Sequence, residues 1–328
     1  MCLIQFITSS NSSFTECVRY SYNFLSSHPP FITNNACPAS PVQDQAFIKY
    51  KCDSGSGTHS FKHCSWDNSG LASNGGAIHL VYSSPQSSIS LTVEHCIFLH
   101  CHETGTVDGG AIYVKYINTA SVSNSFFYDC ECGTAPGQEG GGICYSYLST
   151  NPSIARCSFI SCVSADDGGG CGIWLSNASS VYAINSCRFL KCKGLSETGS
   201  EGGGSLLYKN ENFITFSNCL FSDCSAPVNA GGVCIYSLSG TTVKPIKFCF
   251  FHENKSNGFR DATFYYFDDS PQIITYSFST ASSNRVSVYN STDRYHYLRD
   301  NWPPYATINS KLTTTVCEQG HNENSLIG

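Results

Sequence analysis

The stretch SISLTVEHCIFLHC, residues 88–101, decides the fold. Its first half alternates polar and apolar residues, a period of two that is typical of a half-buried β-strand. Its second half contains the pattern F-x-x-C from Phe98 to Cys101, and another cysteine, Cys96, lies five residues before Cys101. Helical periodicity over eleven or more residues is not found in the sequence, which therefore predicts an all-β protein.

The F-x-x-C pattern recurs about every thirty residues, and a run of glycines follows each of the first six copies. Each repeat thus has two anchors, F-x-x-C first and a glycine run second. The copies of the first anchor are Phe61–Cys64, Phe98–Cys101, Phe127–Cys130, Phe159–Cys162, Phe189–Cys192, Phe221–Cys224 and, with Asn in place of Cys, Phe251–Asn254. A degenerate eighth copy begins at Phe278. The glycine anchors begin at Gly75, Gly109, Gly140, Gly168, Gly202 and Gly231. Two anchors in a fixed order through six copies indicate a repeat protein.

A repeat of this length suits one turn of a parallel β-helix, in which equivalent residues of successive coils lie about 4.8 Å apart and stack. The sequence therefore predicts a single-stranded right-handed parallel β-helix, a solenoid of about seven to nine coils with the phenylalanines inside. The predicted organisation is an N-terminal cap over 1–55, the repeat region over 56–255, degenerate cysteine-free coils over 256–300, and a C-terminal tail or cap over 301–328.

Eleven of the twenty cysteines fall into two columns. In-register parallel Cβ atoms stay about 4.8 Å apart, which exceeds the roughly 3.8 Å of a disulfide. The spacing thus favours buried free thiols that act as small apolar side chains, and a disulfide framework is the alternative. One column holds Cys64, Cys101, Cys130, Cys162, Cys192 and Cys224, and the other holds Cys96, Cys157, Cys187, Cys219 and Cys249, with His59 and Ser125 as exceptions.

Composition excludes several classes of protein. The 328 residues carry a formal charge of −6, which argues against a basic nucleic-acid binder. No apolar run approaches the roughly 18 residues of a membrane helix, and the N-terminus shows no secretory signal. Walker, nucleophile-elbow, dinucleotide and H-E-x-x-H motifs are missing, so the sequence predicts no catalytic residue and no cofactor.

The residue before the glycine anchor is acidic in four successive copies. Stacked carboxylates at one corner could bind Ca²⁺, or they could serve as the paired acids of a glycoside hydrolase. A polar turn before glycine explains the same residues more simply and is the favoured interpretation. The four acids are Asp108, Glu139, Asp167 and Glu201.

Histidines form a second candidate site. His63 and His100 both precede a column cysteine and are expected to stack in adjacent coils, where two imidazoles could take Zn²⁺. Later copies have Asp, Ser and Lys at this position, which favours a solvated row of mixed side chains.

Aromatic residues follow the glycine anchor in five copies. On an outward strand face they could stack on sugar rings, although ordinary strand packing is the favoured interpretation. They are Tyr113, Tyr145, Trp174, Tyr208 and Tyr236.

The paired signatures resemble the G-G-A-I and F-x-x-N repeats of chlamydial polymorphic outer-membrane proteins. The best matches are residues 73–78, SNGGAI, and Phe251 to Asn254. A closer likeness is to the cysteine-bearing repeat proteins of trichomonad protists. The resemblance covers Ser56 to Asn254, departs from the family where Cys replaces Asn, and implies a β-helix with a surface or adhesive role.

Uniform coils without a convergent set of acid, base and cation favour a non-enzymatic scaffold. The expected partners are host-cell or extracellular proteins or glycans, with no nucleic acid and no membrane span. The alternative is a carbohydrate-active β-helix enzyme, a polysaccharide lyase or hydrolase, or a lectin-like glycan binder.

Overall fold

The computed structural model describes an all-β chain in which short parallel strands repeat on three sheets. Where side chains are described on all three sheets, the solenoid completes about four turns. The described residues are 42–43, 46–47, 50–52, 56–67, 76–103, 108–133, 138–165, 168–175, 181–195, 205–209, 213–227, 231–237, 246–247, 249–252, 254–256, 264–267, 274–275, 278–279, 286–289 and 296–297.

The largest sheet has 17 strands and contains two rows, one after the glycine anchor and one before the corner that leads to the phenylalanine sheet. Two long strands, Ile78–Glu94 and Ile112–Ser123, run through both rows. The other strands are Val42–Gln43, Tyr50–Cys52, Gly57–Lys62, Ile143–Ser146, Ser153–Ala155, Cys171–Leu175, Val181–Asn185, Ser205–Lys209, Phe213–Ser217, Val233–Ser237, Ile246–Lys247, Phe264–Phe267, Ile274–Thr275, Val286–Tyr289 and His296–Tyr297.

Two smaller sheets complete each coil. The phenylalanine sheet has nine strands: Ala46–Phe47, Ser65–Asp67, Ile97–Leu99, Phe126–Tyr128, Ser158–Ile160, Arg188–Leu190, Leu220–Ser222, Phe250–His252 and Phe278–Ser279. The third sheet has six: His102–Glu103, Glu131–Cys132, Val163–Ser164, Lys193–Gly194, Ser225–Ala226 and Lys255–Ser256. Among the described strands only His296–Tyr297 pairs in an antiparallel manner, against Val286–Tyr289.

Phenylalanine rings stack along the axis inside the solenoid. Phe98, Phe127, Phe159 and Phe189 pair in register, and successive ring centroids lie between 4.6 and 4.9 Å apart. Phe221 extends the stack at 4.7 Å from Phe189. Each buried ring contributes about 2–3 kcal/mol, and each stacked pair adds about 0.5–1.5 kcal/mol.

The prediction that Phe61 starts this ladder is wrong. Trp66 pairs with Phe98, and their rings stack at 4.6 Å. Phe61 instead pairs with Val93 and meets Trp66 edge-on at 5.4 Å. The motif is ambiguous because most coils have two segments of the form apolar-x-x-Cys five residues apart, with Ser125 and Asn254 as exceptions, and Phe61 belongs to the earlier segment of its coil.

Because Phe61 aligns with Val93 and not with Phe98, Cys64 belongs to the column of Cys96 and not to that of Cys101. Its backbone N–H lies 3.4 Å from the Sγ of Cys96, so it does not align with Cys101 as predicted. His59, expected in a column, pairs with Leu91 inside a strand. The upstream column comprises Cys64, Cys96, Ser125, Cys157, Cys187, Cys219 and Cys249, and the downstream column comprises Cys101, Cys130, Cys162, Cys192, Cys224 and Asn254.

A sharp corner precedes each column. At the described positions, the residue just before the column residue has a positive φ, between 49° and 56°, which turns the chain between two sheets. The upstream corner contains His63, His95, Asn124, Arg156, Ser186 and Asn218, and the downstream corner contains His100, Asp129, Ser161, Lys191 and Asp223.

Column residues bond the backbone of the preceding coil. The thiol of Cys187 donates to the carbonyl of Ile154 at 3.5 Å. Asn254 donates to the carbonyl of Phe221 at 3.1 Å and accepts the N–H of Cys224 at 3.0 Å. Cys, Ser and Asn therefore serve the same purpose, because each can donate to a carbonyl and accept an N–H.

The glycine anchor meets two separate steric demands. Gly109 has φ 73°, the left-handed region that favours glycine. A Cβ on Gly110 would collide with the Gly141 carbonyl oxygen of the next coil and with the backbone of Glu131. The turn with positive φ and the close approach of the next coil thus fall on adjacent residues.

The parallel pairing extends past both ends of the predicted repeat region. Ala46 and Phe47 pair with Ser65 and Trp66, inside the segment expected to be a cap. At the other end Phe278 pairs with Phe250, so the eighth copy is offset by one residue from the predicted alignment.

Candidate functional site

Asp108 and Glu139, the two described carboxylates before the glycine anchors, point into a closed corner. Asp108 accepts the backbone N–H of Glu139 at 3.2 Å, so adjacent coils do bring these two acids together. Glu139 is buried. Burial raises the pKa of Asp108 above its usual value, while bonds from the Glu139 N–H and the Tyr113 hydroxyl oppose the rise by favouring the carboxylate. Asp167 and Glu201 lie outside the described residues.

A buried histidine–carboxylate pair lies in the preceding coil at the same corner. His79 Nε2 lies 3.7 Å from a carboxylate oxygen of Glu103, and both side chains are buried. That oxygen also accepts the backbone N–H of Gly76 at 3.4 Å. The sequence reasoning missed this pair. The available signal was a histidine two residues after the anchor Ala77, at the position that Tyr113 occupies in the next coil.

The histidines do not associate as predicted. His63 faces His95, with ring centroids 5.3 Å apart, and both belong to the upstream corner. His100 belongs to the downstream corner, so the expected His63–His100 pair for Zn²⁺ is wrong. The error has the same origin as that of Phe61. The segment Phe61–Cys64 was aligned with Phe98–Cys101 at the downstream corner, whereas it belongs to the upstream corner.

His100 bridges carboxylates of the coils on either side. Its Nδ1 lies 3.3 Å from Asp67, and its Nε2 lies 4.0 Å from Asp129. Because Asp67 and Asp129 contact opposite nitrogens of the His100 ring, this ring links three successive coils. Within the described residues, no group of three or more His, Cys, Asp or Glu is arranged to hold a metal ion.

Two of the five predicted sugar-stacking aromatics are buried. Tyr145 is fully buried in the core, and Tyr113 is 6% exposed beneath the glycine corner. Tyr145 therefore faces inward, and Tyr113, on the opposite face of its strand, is covered; the prediction that both are available to stack on sugar rings is wrong. The two side chains also occupy different columns, because Tyr113 pairs with Cys144 and Tyr145 pairs with Val114.

The other three predicted aromatics share one column. Trp174 pairs with Tyr208, and Tyr208 pairs with Tyr236. Earlier coils contribute Val81, Lys115 and Ser146 to the same column. The side chains of these three aromatics lie outside the described part of the structure, so the prediction for them stands as a prediction.

Two tyrosines that were not singled out stack beside this column. Tyr116 and Tyr147 are half-buried, with ring centroids 4.9 Å apart and planes inclined by 24°. The ammonium of Lys115 lies 5.2 Å and 5.6 Å from the two ring centroids. Because the rings cover one another, their facing surfaces are unavailable to a sugar.

The fifteen cysteines whose side chains are described are buried free thiols. Burial raises the pKa of Cys157 and Cys219 in the upstream column, and of Cys130 and Cys192 in the downstream column, well above the usual value. Thiols with such pKa values carry little thiolate and react slowly. Between them, hydrogen bonds from neighbouring thiols and backbone groups outweigh burial and lower the pKa of Cys162 and Cys187. Because all of these thiols are buried, the columns have the properties of packing and hydrogen-bonding elements.

A family model for the right-handed β-helix region matches residues 54–248, more than half of the chain. The chain belongs to this family. Neither the curated proteins nor the solved structures include a match. This match confirms the prediction of a right-handed β-helix repeat protein that was made from the repeats. In the described residues no helix is long and apolar enough to cross a bilayer.

Proposed function

We propose that this right-handed β-helix is a non-enzymatic scaffold that binds extracellular or host-cell proteins or glycans and acts in surface adhesion. The supporting observation is the state of the acidic corner. Asp108 is occupied by bonds from Glu139 and Tyr113, and Glu139 is buried rather than facing a groove. Hydrolysis of a glycan by most glycoside hydrolases requires an acid and a second carboxylate on either side of an accessible bond.

The finer proposals rest on the sequence repeats. The likeness to chlamydial polymorphic outer-membrane proteins and to trichomonad repeat proteins supports a surface role. The anchors support seven to nine coils. Nucleic acid is not a proposed partner, because the chain carries a formal charge of −6.

A carbohydrate-active enzyme is the second candidate, and one observation favours it. Asp108 and Glu139 lie in adjacent coils, and burial raises the pKa of Asp108, as expected of a general acid. A polysaccharide lyase or hydrolase would need the corner to open to its substrate.

A glycan array and a polysaccharide degradation panel, each with and without Ca²⁺, separate the two candidates. The scaffold predicts saturable binding to glycans or to cells without turnover. Cleavage that disappears in Asp108→Asn and Glu139→Gln, but persists in the downstream-corner control Asp223→Asn, would establish the enzyme and exclude the scaffold.

A further inference from the structure

The outer face of the third sheet carries an acid and a base on either side of an apolar residue. Glu131 pairs with Val163, and Val163 pairs with Lys193, so the three residues form one column along the axis. The column faces outward, because the alternate residues Cys132 and Ser164 are buried. Lys193 is exposed, and Glu131 and Val163 are partly exposed. The charge on this face therefore changes sign across one neutral coil.

The downstream corner repeats this arrangement beside the sheet. Asp129, Ser161 and Lys191 directly follow in-register strands of the phenylalanine sheet in the same three coils. The side chain of Asp129 is 47% exposed, and Lys191 is exposed. Two adjacent columns thus have their acids on one side of the same neutral coil and their lysines on the other.

These charges are not neutralised by one another within the chain. Successive coils lie about 4.8 Å apart, so each acid is separated from the lysine of its column by roughly twice that distance, too far for an ion pair. In the part of the chain that the structure describes, Glu131, Lys191 and Lys193 take part in no ion pair, and Asp129 has one long contact, 4.0 Å from His100. Opposite charges from outside the chain could therefore pair with them.

A second copy of the chain presents these opposite charges in the matching arrangement. A two-fold rotation about the strand direction, centred on Val163, exchanges the two ends of each column. Glu131 then faces the partner's Lys193, Asp129 faces the partner's Lys191, and each pair occurs twice. A two-fold axis parallel to the solenoid would instead place each charge opposite its own copy, so charge favours the antiparallel arrangement.

We propose that the outer face of the third sheet joins two copies of this chain into an antiparallel two-fold dimer. Val163 lies at the two-fold axis, and Leu195, which is 51% exposed beside Lys193, adds apolar area that the dimer covers. The face is narrow, with six strands of two residues each, so we expect a reversible dimer of micromolar affinity. The dimer does not depend on the ligand of the proposed scaffold.

Sedimentation velocity of the full chain, at concentrations up to about 100 µM, tests the dimer. The parent should pass reversibly from monomer to dimer, and the dimer should weaken as salt is raised, because salt screens exposed ion pairs. Glu131→Lys places a cation opposite the partner's Lys193 at two symmetric positions, so it should weaken the dimer about tenfold or more. Lys193→Glu should weaken it to a similar extent by opposing two acids.

Mixing these two variants tests the geometry itself. In the mixed dimer one copy carries lysine at both positions and the other carries glutamate at both, so both contacts become attractive again. The equimolar mixture should therefore dimerise within about threefold of the parent affinity. The double variant, Glu131→Lys with Lys193→Glu in one chain, should recover to the same extent.

Glu94→Lys is the matched control, because Glu94 is a partly exposed strand residue on the largest sheet and its replacement changes the charge equally. It should leave the affinity within about twofold of the parent. A parent chain that remains monomeric at low salt would overturn the proposal. So would Glu131→Lys weakening the dimer no more than Glu94→Lys, or a mixture that remains monomeric. Circular dichroism verifies that each variant is folded.

Discussion

Replacing Ser125 tests whether hydrogen bonding defines the cysteine columns. Its hydroxyl donates to the Ser123 carbonyl at 2.8 Å and accepts the Cys96 N–H at 3.1 Å. In Ser125→Ala the buried N–H loses its acceptor, which costs about 1–3 kcal/mol. In Ser125→Cys the thiol keeps the donor and supplies a weak acceptor, so stability should remain within about 1 kcal/mol of the parent.

Urea unfolding followed by circular dichroism measures both effects, provided that the slope of free energy against urea is unchanged. Ser121→Ala is the control, because its hydroxyl is partly exposed and faces Ser153 at 3.1 Å. It should shift stability by less than about 0.5 kcal/mol. The reasoning would be refuted if Ser125→Ala changed the free energy of unfolding no more than Ser121→Ala does. It would also be refuted if Ser125→Cys were as unstable as Ser125→Ala.

Three further predictions concern the core, the thiols and pH. Phe159→Ala should destabilise by about 3–5 kcal/mol in the same unfolding experiment, since it removes a buried ring with two stacking partners; a loss below about 1 kcal/mol would contradict the ladder. Cys157 and Cys187 should react with iodoacetamide only after denaturation, and mass spectrometry that finds them joined would disprove the free-thiol columns. Burial lowers the pKa of His59, so the unfolded chain binds the extra proton and stability should decrease as the pH falls below about 6.5. His59→Gln should flatten that slope, and an unchanged slope would count against it.

Much of the solenoid was predictable because parallel in-register stacking repeats a residue type at each coil. Phe98, Phe127 and Phe159 were aligned correctly from spacing alone. Alignment failed at Phe61, where two corners of similar sequence compete and the tryptophan of the true copy does not match the motif.

The site was less predictable, because burial there depends on chain segments outside the strand. Alternation puts Tyr113 on the outward face of its strand, and the glycine corner that carries Asp108 then covers it. The pairing of His79 with Glu103 likewise joins two sheets. Strand periodicity reports the face of a residue and contains no information about a loop folding over that face.

The positive-φ corners have an evolutionary consequence. A side chain in this conformation costs on the order of 1 kcal/mol relative to glycine, with Asn, Asp and His tolerated best. None of the eleven described corner positions is a glycine. At these eleven corners the chain thus gives up stability to display side chains in two straight rows. Since these rows contribute little to the core, their chemistry can be rewritten by mutation, coil by coil, while the fold persists.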